Sequence, residues 1–137
     1  MPISVYDAVG GKAFFLALVD EFYDRVESDD VLRPMYPADL SESRRTTAGF
    51  LAQYWGGPPE YSRERGHPRL RMRHAHLAIG QRERDHWLGH MLAAVSATVT
   101  DRQAPEAVEQ AMANYFDHAS TAMINTPMIN AAAPMSE

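Results

Sequence analysis

Hydrophobic residues recur at steps of three and four along most of this chain, and this periodicity restricts the possible fold more than any other feature. In residues 11–27, for example, Phe15, Val19, Phe22 and Val26 keep this spacing, while charged residues stand between them. Such a pattern places the apolar side chains on one face of an α-helix. The sequence shows no sustained alternation of apolar and polar residues of the kind that predicts strands. We therefore predict an all-α fold.

The same periodicity, read together with proline and glycine, gives the individual elements. Ser4 is predicted to cap the first helix. Pro34 excludes a long regular helix between residues 29 and 36, so a short 3₁₀ turn is expected there. Residues 60–68 lack a clear period and are predicted to form an ordered loop. The predicted helices cover residues 4–9, 11–27, 41–54, 69–77, 80–99 and 105–125. The helix over 41–54 is expected to turn five side chains inward: Ser43, Thr47, Phe50, Leu51 and Tyr54.

Length and composition narrow the class of protein. The chain has 137 residues, 45% of them hydrophobic, and suits one domain, expected over residues 1–127 with a loose tail at 128–137. The formal net charge of −5 argues against general nucleic-acid binding, and the absence of cysteine excludes disulfides and thiolate metal sites. No apolar run reaches the roughly 18 residues of a membrane span, and the N-terminus lacks a secretory signal pattern, so a cytoplasmic protein is expected.

A single histidine interrupts an otherwise apolar helix face. Leu70, His74 and Leu77 are spaced i, i+4 and i+7, so they share one side of the predicted helix. An imidazole in that position either hydrogen-bonds inside a core or coordinates a metal. From the spacing alone, the satisfied core histidine is the commoner of the two outcomes.

The charge around this histidine favours a bound ligand. Residues 61–76 contain five arginines and one glutamate in a chain that is acidic overall. Such a run is usually a solvated basic face, but it also suits a ligand with negative groups. Haem fits both observations, because its iron takes an axial imidazole and its propionates need cationic or hydrogen-bonding partners. The predicted propionate partners are Arg73 and Tyr61, followed by Arg71, whereas Arg65 and Arg69 are expected to be surface charges.

Three amphipathic aromatic residues, Tyr23, Tyr36 and Trp87, are likewise either core residues or ligand-binding residues. As ordinary core residues they need only a partner for each polar tip. As functional residues, two phenol hydroxyls and one indole N–H would surround a bound diatomic ligand and hold it by hydrogen bonds. The residues alone leave both interpretations open.

Two further histidines have a spacing that can share a metal ion. His86 and His90 lie four residues apart on one predicted helix. The residue after His86 is Trp87 instead of the glutamate of an HExxH signature, so no zinc site is expected there.

Several stretches of the chain resemble one known family. MPISVYDAVGG, EFYDRV, VLRPMYP, QYWGGPPEYS, RGHPRLRMRHA and ERDHWL are similar to segments of the group II truncated haemoglobins, in particular those of the mycobacterial type O. The similarity runs from residue 1 to about Val99 and more faintly through the last helix. The stretch GHPRLRMRHA, followed by a tryptophan thirteen residues after its histidine, is the most specific part.

The resemblance implies a two-over-two helical sandwich that holds one haem b. It implies that His74 is the proximal iron ligand and that Tyr23, Tyr36 and Trp87 form the distal hydrogen-bonding set. Ser43 takes the position of the distal histidine of ordinary globins, and Thr47 lies one helical turn further on. The residues expected at the haem are His74, Arg73, Tyr61, Phe50, Leu70, Met91 and Trp87.

Ser43 and Thr47 depart from the family's usual residues, which are a small apolar residue and leucine or glutamine. Each adds a hydroxyl group and removes apolar bulk. We therefore predict a wetter and more open distal side, with faster ligand exchange than a leucine at position 47 would allow.

The expected function is reversible binding of O₂, CO and NO. An alternative is haem-dependent oxidation, either NO dioxygenation or peroxide-driven oxidation, for which a separate reductase is the expected partner. A third interpretation is a haem-free interaction module whose basic segment contacts an acidic partner. Self-association is compatible with the resemblance, but the sequence does not reveal a surface for it.

Overall fold

The computed structural model describes residues 3–126, and within this range all the regular secondary structure is helical. The expected tail at 128–137 lies outside the described residues. The α-helices are α1 (Val5–Ala8), α2 (Lys12–Val26), α3 (Ser41–Tyr54), α4 (Glu60–Arg65), α5 (Leu70–Arg73), α6 (Gln81–Asp101) and α7 (Glu106–Ala122). A 3₁₀ turn, Arg33–Met35, precedes α3, as Pro34 predicts.

The helix boundaries follow local sequence signals. Ser4 caps α1 by accepting a hydrogen bond from the Asp7 N–H at 3.1 Å. Gly10 and Gly11 form the junction to α2 with φ values of +90° and +93°, a conformation that favours glycine. Helix α3 begins and ends at the predicted residues, because Gly56 and the residues that follow it stop the helix.

Three expectations about local structure are wrong. Residues 60–68 contain α4, whose six residues are too few to show a helical period. The helix predicted over 69–77 is confined to α5, and His74 is its C-cap. Tyr54 is 51% exposed and does not face inward, because its ring packs at the molecular edge against Tyr115, with centroids 4.2 Å apart.

Two helix pairs form the sandwich. Helix α2 packs on α3, α6 packs on α7, and contact between α2 and α6 joins the pairs. This arrangement confirms the predicted two-over-two architecture. The largest fully buried side chains come from α2, α6, α7 and the turn after α2: Phe14, Phe15, Leu18, Phe22, Leu32, Met91, Met112 and Phe116. Each such burial contributes about 1.5–3 kcal/mol relative to exposure, so these contacts hold the sandwich together.

One arginine joins α3 to α2 and reaches the functional region. The Arg44 guanidinium contacts the carboxylates of Asp20, Asp24 and Glu27 at 3.0, 3.1 and 2.8 Å. The central carbon of this guanidinium, Cζ, also lies 5.7 Å from the centre of the Tyr23 ring. Exposed ion pairs contribute little individually, but one guanidinium held by three carboxylates keeps α3 in register with α2.

Among residues 3–126, no helix combines the length and apolar character that a bilayer crossing requires.

Gly57 tests the packing at the end of α3. A Cβ atom there would lie 2.6 Å from the Tyr6 ring and 2.8 Å from the Ala52 carbonyl oxygen, whereas one at Gly49 would meet nothing within 4 Å. We expect Gly57→Ala to lower the free energy of unfolding by about 1–3 kcal/mol through overpacking. Gly49→Ala, the control in the middle of α3, should raise it by about 1 kcal/mol. Urea unfolding of both variants measures this, and equal effects at the two sites would contradict the packing described.

Candidate functional site

A cavity of about 400 Å³ lies between the helix pairs, a size typical of small-molecule sites. Tyr23 of α2, Leu70 of α5, and Trp87 and Met91 of α6 contribute to its mostly apolar wall. His74, directly after α5, also lines it. The cavity therefore brings one imidazole and several amphipathic aromatic groups together in apolar surroundings.

The protonation of the His74 ring follows from one contact. Its Nδ1 lies 2.6 Å from the Leu70 carbonyl oxygen. A carbonyl oxygen only accepts, so Nδ1 carries a hydrogen, and in the neutral ring Nε2 therefore keeps its lone pair. Histidines that bind metals are commonly fixed in this way, by a hydrogen bond from the other ring nitrogen to a backbone carbonyl. His74 therefore has the tautomer and the surroundings of an iron ligand.

A second histidine shows that the hydrogen bond alone does not define such a site. His118 Nδ1 bonds the Asn114 carbonyl oxygen at 2.8 Å, also four residues earlier. Its side chain is exposed on α7 and does not line the cavity. The cavity, combined with the fixed tautomer, distinguishes His74.

The predicted distal residues form a connected group. The hydroxyls of Tyr23 and Thr47 lie 3.1 Å apart, and the rings of Tyr23 and Tyr36 meet edge to face at 5.5 Å between centroids. Trp87 packs against the Phe22 ring at 5.4 Å. Trp87 is half-buried, because it borders the cavity.

Burial keeps both phenols of this group protonated. It raises the pKa of Tyr23, while the hydrogen bond with Thr47 and the charge of Arg44 act in the opposite direction. It also raises the pKa of Tyr36 well above the ordinary value, and the neighbouring Tyr23 adds to the rise, while the Trp87 indole opposes it. Both hydroxyls therefore carry a hydrogen at neutral pH that they can donate.

All the residues predicted from the sequence to contact haem or its ligand, except Arg71, border this one cavity. They are Tyr23, Tyr36, Ser43, Thr47, Phe50, Tyr61, Leu70, Arg73, His74, Trp87 and Met91. Arg71, the third choice of propionate partner, does not border it, and its guanidinium instead donates to the Ala122 carbonyl.

The arginines at the cavity edge differ from the simple expectation. Arg73 donates to the carbonyls of Pro68 and Arg65 at 2.6 and 2.9 Å, so some of its guanidinium N–H groups hold the segment between α4 and α5. Arg65 was expected to be only a surface charge. It is exposed, yet it also borders the cavity and lies 5.9 Å from the Tyr61 ring centre.

Sequence reasoning missed Arg84 and Tyr115, which also line the cavity. The Arg84 side chain is 15% exposed and bonds Asp117 of α7, while its Nε is buried without a hydrogen-bond partner in the described part of the chain. Burial raises the pKa of Tyr115 to about 12. No local pattern could have identified Arg84, because its partner is 33 residues away.

The two-over-two helical fold, together with a mostly apolar cavity lined by a histidine with a free ring nitrogen, defines a haem-binding globin. The chain belongs to the bacterial-like globin family, whose family model matches residues 4–121.

Known relatives agree with this assignment. The group 2 truncated haemoglobin YjbI of Bacillus subtilis is 46% identical over 86 residues, which cover 63% of this chain. The match spans 64% of the length of that relative. A haemoglobin from the thermophilic phototroph Chloroflexus aurantiacus is similar in structure, with a TM-score of 0.84, 51% identity and coverage of 90% of this chain and 99% of its own. A truncated oxygen-avid haemoglobin from Bacillus subtilis has a TM-score of 0.80 at 34% identity, with coverage of 90% and 100%.

A double-mutant cycle measures the contact between Tyr23 and Thr47. We expect Tyr23→Phe and Thr47→Val to show a coupling free energy of about 1 kcal/mol in urea unfolding of the haem-free protein, because each removes the same hydrogen bond. Thr46→Val is the control, since the Thr46 hydroxyl donates to the Glu42 carbonyl at 2.9 Å. Its cycle with Tyr23→Phe should give less than about 0.5 kcal/mol. Equal coupling in both cycles would contradict the assigned contact.

Proposed function

We propose that this chain binds haem b through His74 and reversibly binds O₂, with CO and NO as further ligands. The observation that carries the proposal is that His74 lines the cavity, with its Nδ1 bonded to the Leu70 carbonyl at 2.6 Å and its Nε2 without a hydrogen bond among residues 3–126. When bound, haem would supply an iron that His74 could hold and that could take up a diatomic gas.

The proximal residues orient the imidazole. The hydrogen bond to Leu70 fixes the plane of the His74 ring. His74 is the C-cap of α5, and its backbone N–H also donates to the Leu70 and Arg71 carbonyls at 3.1 and 3.2 Å, so both the backbone and the ring of His74 are tied to the helix. The short helix therefore holds the His74 ring in one orientation for binding the haem iron.

The distal residues retain a small polar ligand. Tyr23 and Tyr36 offer hydroxyl hydrogens, and Trp87 offers its indole N–H. Each net hydrogen bond contributes about 0.5–1.5 kcal/mol, so the set supports slow ligand escape. The oxygen avidity of the Bacillus subtilis protein with the same fold supports the choice of O₂.

The edge of the cavity suits the negative groups of haem b. Arg73 and Arg65 bring guanidinium groups there, and Tyr61 adds a hydroxyl. The hydrogen bonds of Arg73 to Pro68 and Arg65 hold its side chain in place for a propionate.

Peroxide-driven oxidation is less well supported by the distal residues. Breaking the O–O bond of a peroxide benefits from a group that exchanges protons near neutral pH. The raised pKa values of Tyr23 and Tyr36 make these phenols hydrogen-bond donors and poor proton acceptors or acids in that range. The distal residues therefore favour ligand binding over peroxide-driven oxidation.

Haem titration tests the proximal assignment. We expect His74→Ala to weaken haem binding by more than the ~10–100-fold that loss of a supporting residue costs, because it removes the iron ligand itself. The Soret absorption of the titrated protein provides the measurement. His118→Ala, which removes an exposed histidine with the same local hydrogen bond, is the matched control and should bind haem normally. Unchanged affinity in His74→Ala would refute the proposal.

Thr47→Leu tests the open distal side. Leucine fills space near the ligand and releases the Tyr23 hydroxyl from Thr47, so oxygen association and dissociation should both slow. We expect each rate to fall by about threefold, a change in free energy smaller than that of one typical hydrogen bond. Stopped-flow and flash-photolysis rates provide the measurement. Thr100→Leu, at an exposed position of α6, controls for a general effect of the substitution. Unchanged rates in Thr47→Leu would show that Thr47 does not govern ligand exchange.

A further inference from the structure

Asp29, His86 and His90 form a cluster outside the cavity that the proposed ligand binding does not use. The Asp29 side chain is only 7% exposed, and its Oδ2 accepts hydrogen bonds from His86 Nδ1 at 2.9 Å and His90 Nε2 at 2.6 Å. Its Oδ1 accepts the backbone N–H groups of Val31 and Leu32 at 2.8 and 3.1 Å. One buried carboxylate thus satisfies four donors from two parts of the chain.

The cluster connects the segments that carry two of the distal donors. Asp29 begins the turn that leads to Tyr36, and its own carbonyl accepts the Arg33 N–H at 2.8 Å. On α6, His86 directly precedes Trp87 and His90 follows one turn later. Contact between Asp29 and the histidines therefore ties the turn before Tyr36 to the helix of Trp87.

We propose that Asp29 is a positioning residue that sets the spacing between Tyr36 and Trp87 through His86 and His90, and that this contact makes ligand retention depend on pH. The proposal rests on the distal role proposed above for Tyr36 and Trp87.

The charge states give the direction of the pH effect. Neutral imidazoles donate an N–H to Asp29, and protonated ones donate charge-assisted hydrogen bonds that are about twice as strong. Histidine is the side chain that changes charge between about pH 5 and 8, so the contact strengthens as the pH falls through that range. Burial raises the pKa of Asp29, but hydrogen bonds from both histidines and the backbone outweigh it and hold the pKa far below the ordinary value. The carboxylate therefore stays charged.

The charged groups around the cluster do not reverse this direction. From α6, Asp29 is faced by the two imidazoles, and from its own turn by backbone N–H groups. His86 is also faced by Asp85 of its own helix, whose carboxylate bonds Arg84 at 3.1 Å. The charged groups that face His86 are therefore carboxylates, with which a protonated imidazole makes a charge-assisted hydrogen bond.

Asp29→Asn separates the turn from the contact with α6. The asparagine oxygen can still accept the N–H groups of Val31 and Leu32, but an amide NH₂ replaces Oδ2. Neutral imidazoles can accept from that NH₂, whereas protonated ones cannot. The pH dependence should therefore invert in this variant.

A matched double variant removes the titration while keeping the donors. In His86→Asn with His90→Gln, the amide nitrogens stand near the positions of Nδ1 and Nε2, respectively, and donate to Asp29 at every pH. This variant should show no pH dependence from the cluster, and it keeps the test decisive if Asp29→Asn fails to fold.

The oxygen dissociation rate of the haem-loaded protein is the first readout. As the pH is lowered from about 8 to about 5.5, we expect the dissociation rate to fall about twofold to threefold in the natural chain, to rise in Asp29→Asn and to stay level in the double variant.

The second readout uses the haem-free protein. Hydrogen-exchange protection of residues 31–36, corrected for the intrinsic pH dependence of exchange, should rise by a similar factor in the natural chain only.

The same pH profile in the natural chain and the double variant would overturn the proposal. Tyr36→Phe and Trp87→Phe distinguish this failure from failure of the proposed function. If they accelerate oxygen dissociation while the cluster variants have no effect, only the role of Asp29 is wrong. If they leave dissociation unchanged, the distal assignment and the role of Asp29 both fail.

Discussion

The hydrogen bond from His74 Nδ1 to the Leu70 carbonyl is the contact on which the functional site depends. In the neutral ring it leaves a single nitrogen, Nε2, with a lone pair that can bind a metal. It also fixes the ring at the end of a helix of four residues. Such a short helix has little stability of its own, because helix nucleation is unfavourable. Its position therefore rests on the surrounding contacts, among them the bonds of Arg73 to the segment before it.

The opposite wall of the cavity comes from elements that also form the core. Phe22 and Tyr23 of α2 and Met91 of α6 are buried in the core and also line the cavity. Tyr23 and Trp87 lie on helices that the core already holds, so core packing fixes their backbone positions, whereas Tyr36 lies on the turn after α2. Arg44 contributes to both functions, since it joins α3 to α2 and lies over the Tyr23 ring.

Much of the fold could be predicted because long helices display their period. Helix α3 was predicted to the residue, whereas α4 was missed because six residues are too few for a period. Tyr54 fits the inward pattern of α3 but lies at the exposed edge, since periodicity gives a face and not its depth. The spacing of His74, the arginines around it and the three amphipathic aromatic residues indicated the site, and one specific resemblance resolved the alternatives that the residues left open. The buried Arg84 depends on a distant partner, Asp117, that no local pattern reveals.

A crystal structure of the haem-loaded protein tests the central claim most directly. The account predicts His74 Nε2 on the iron, Nδ1 still on the Leu70 carbonyl, and the phenols of Tyr23 and Tyr36 on the opposite face of the ring. An iron held by another residue, such as His76 at the cavity edge, or a His74 ring turned away from the porphyrin, would contradict it.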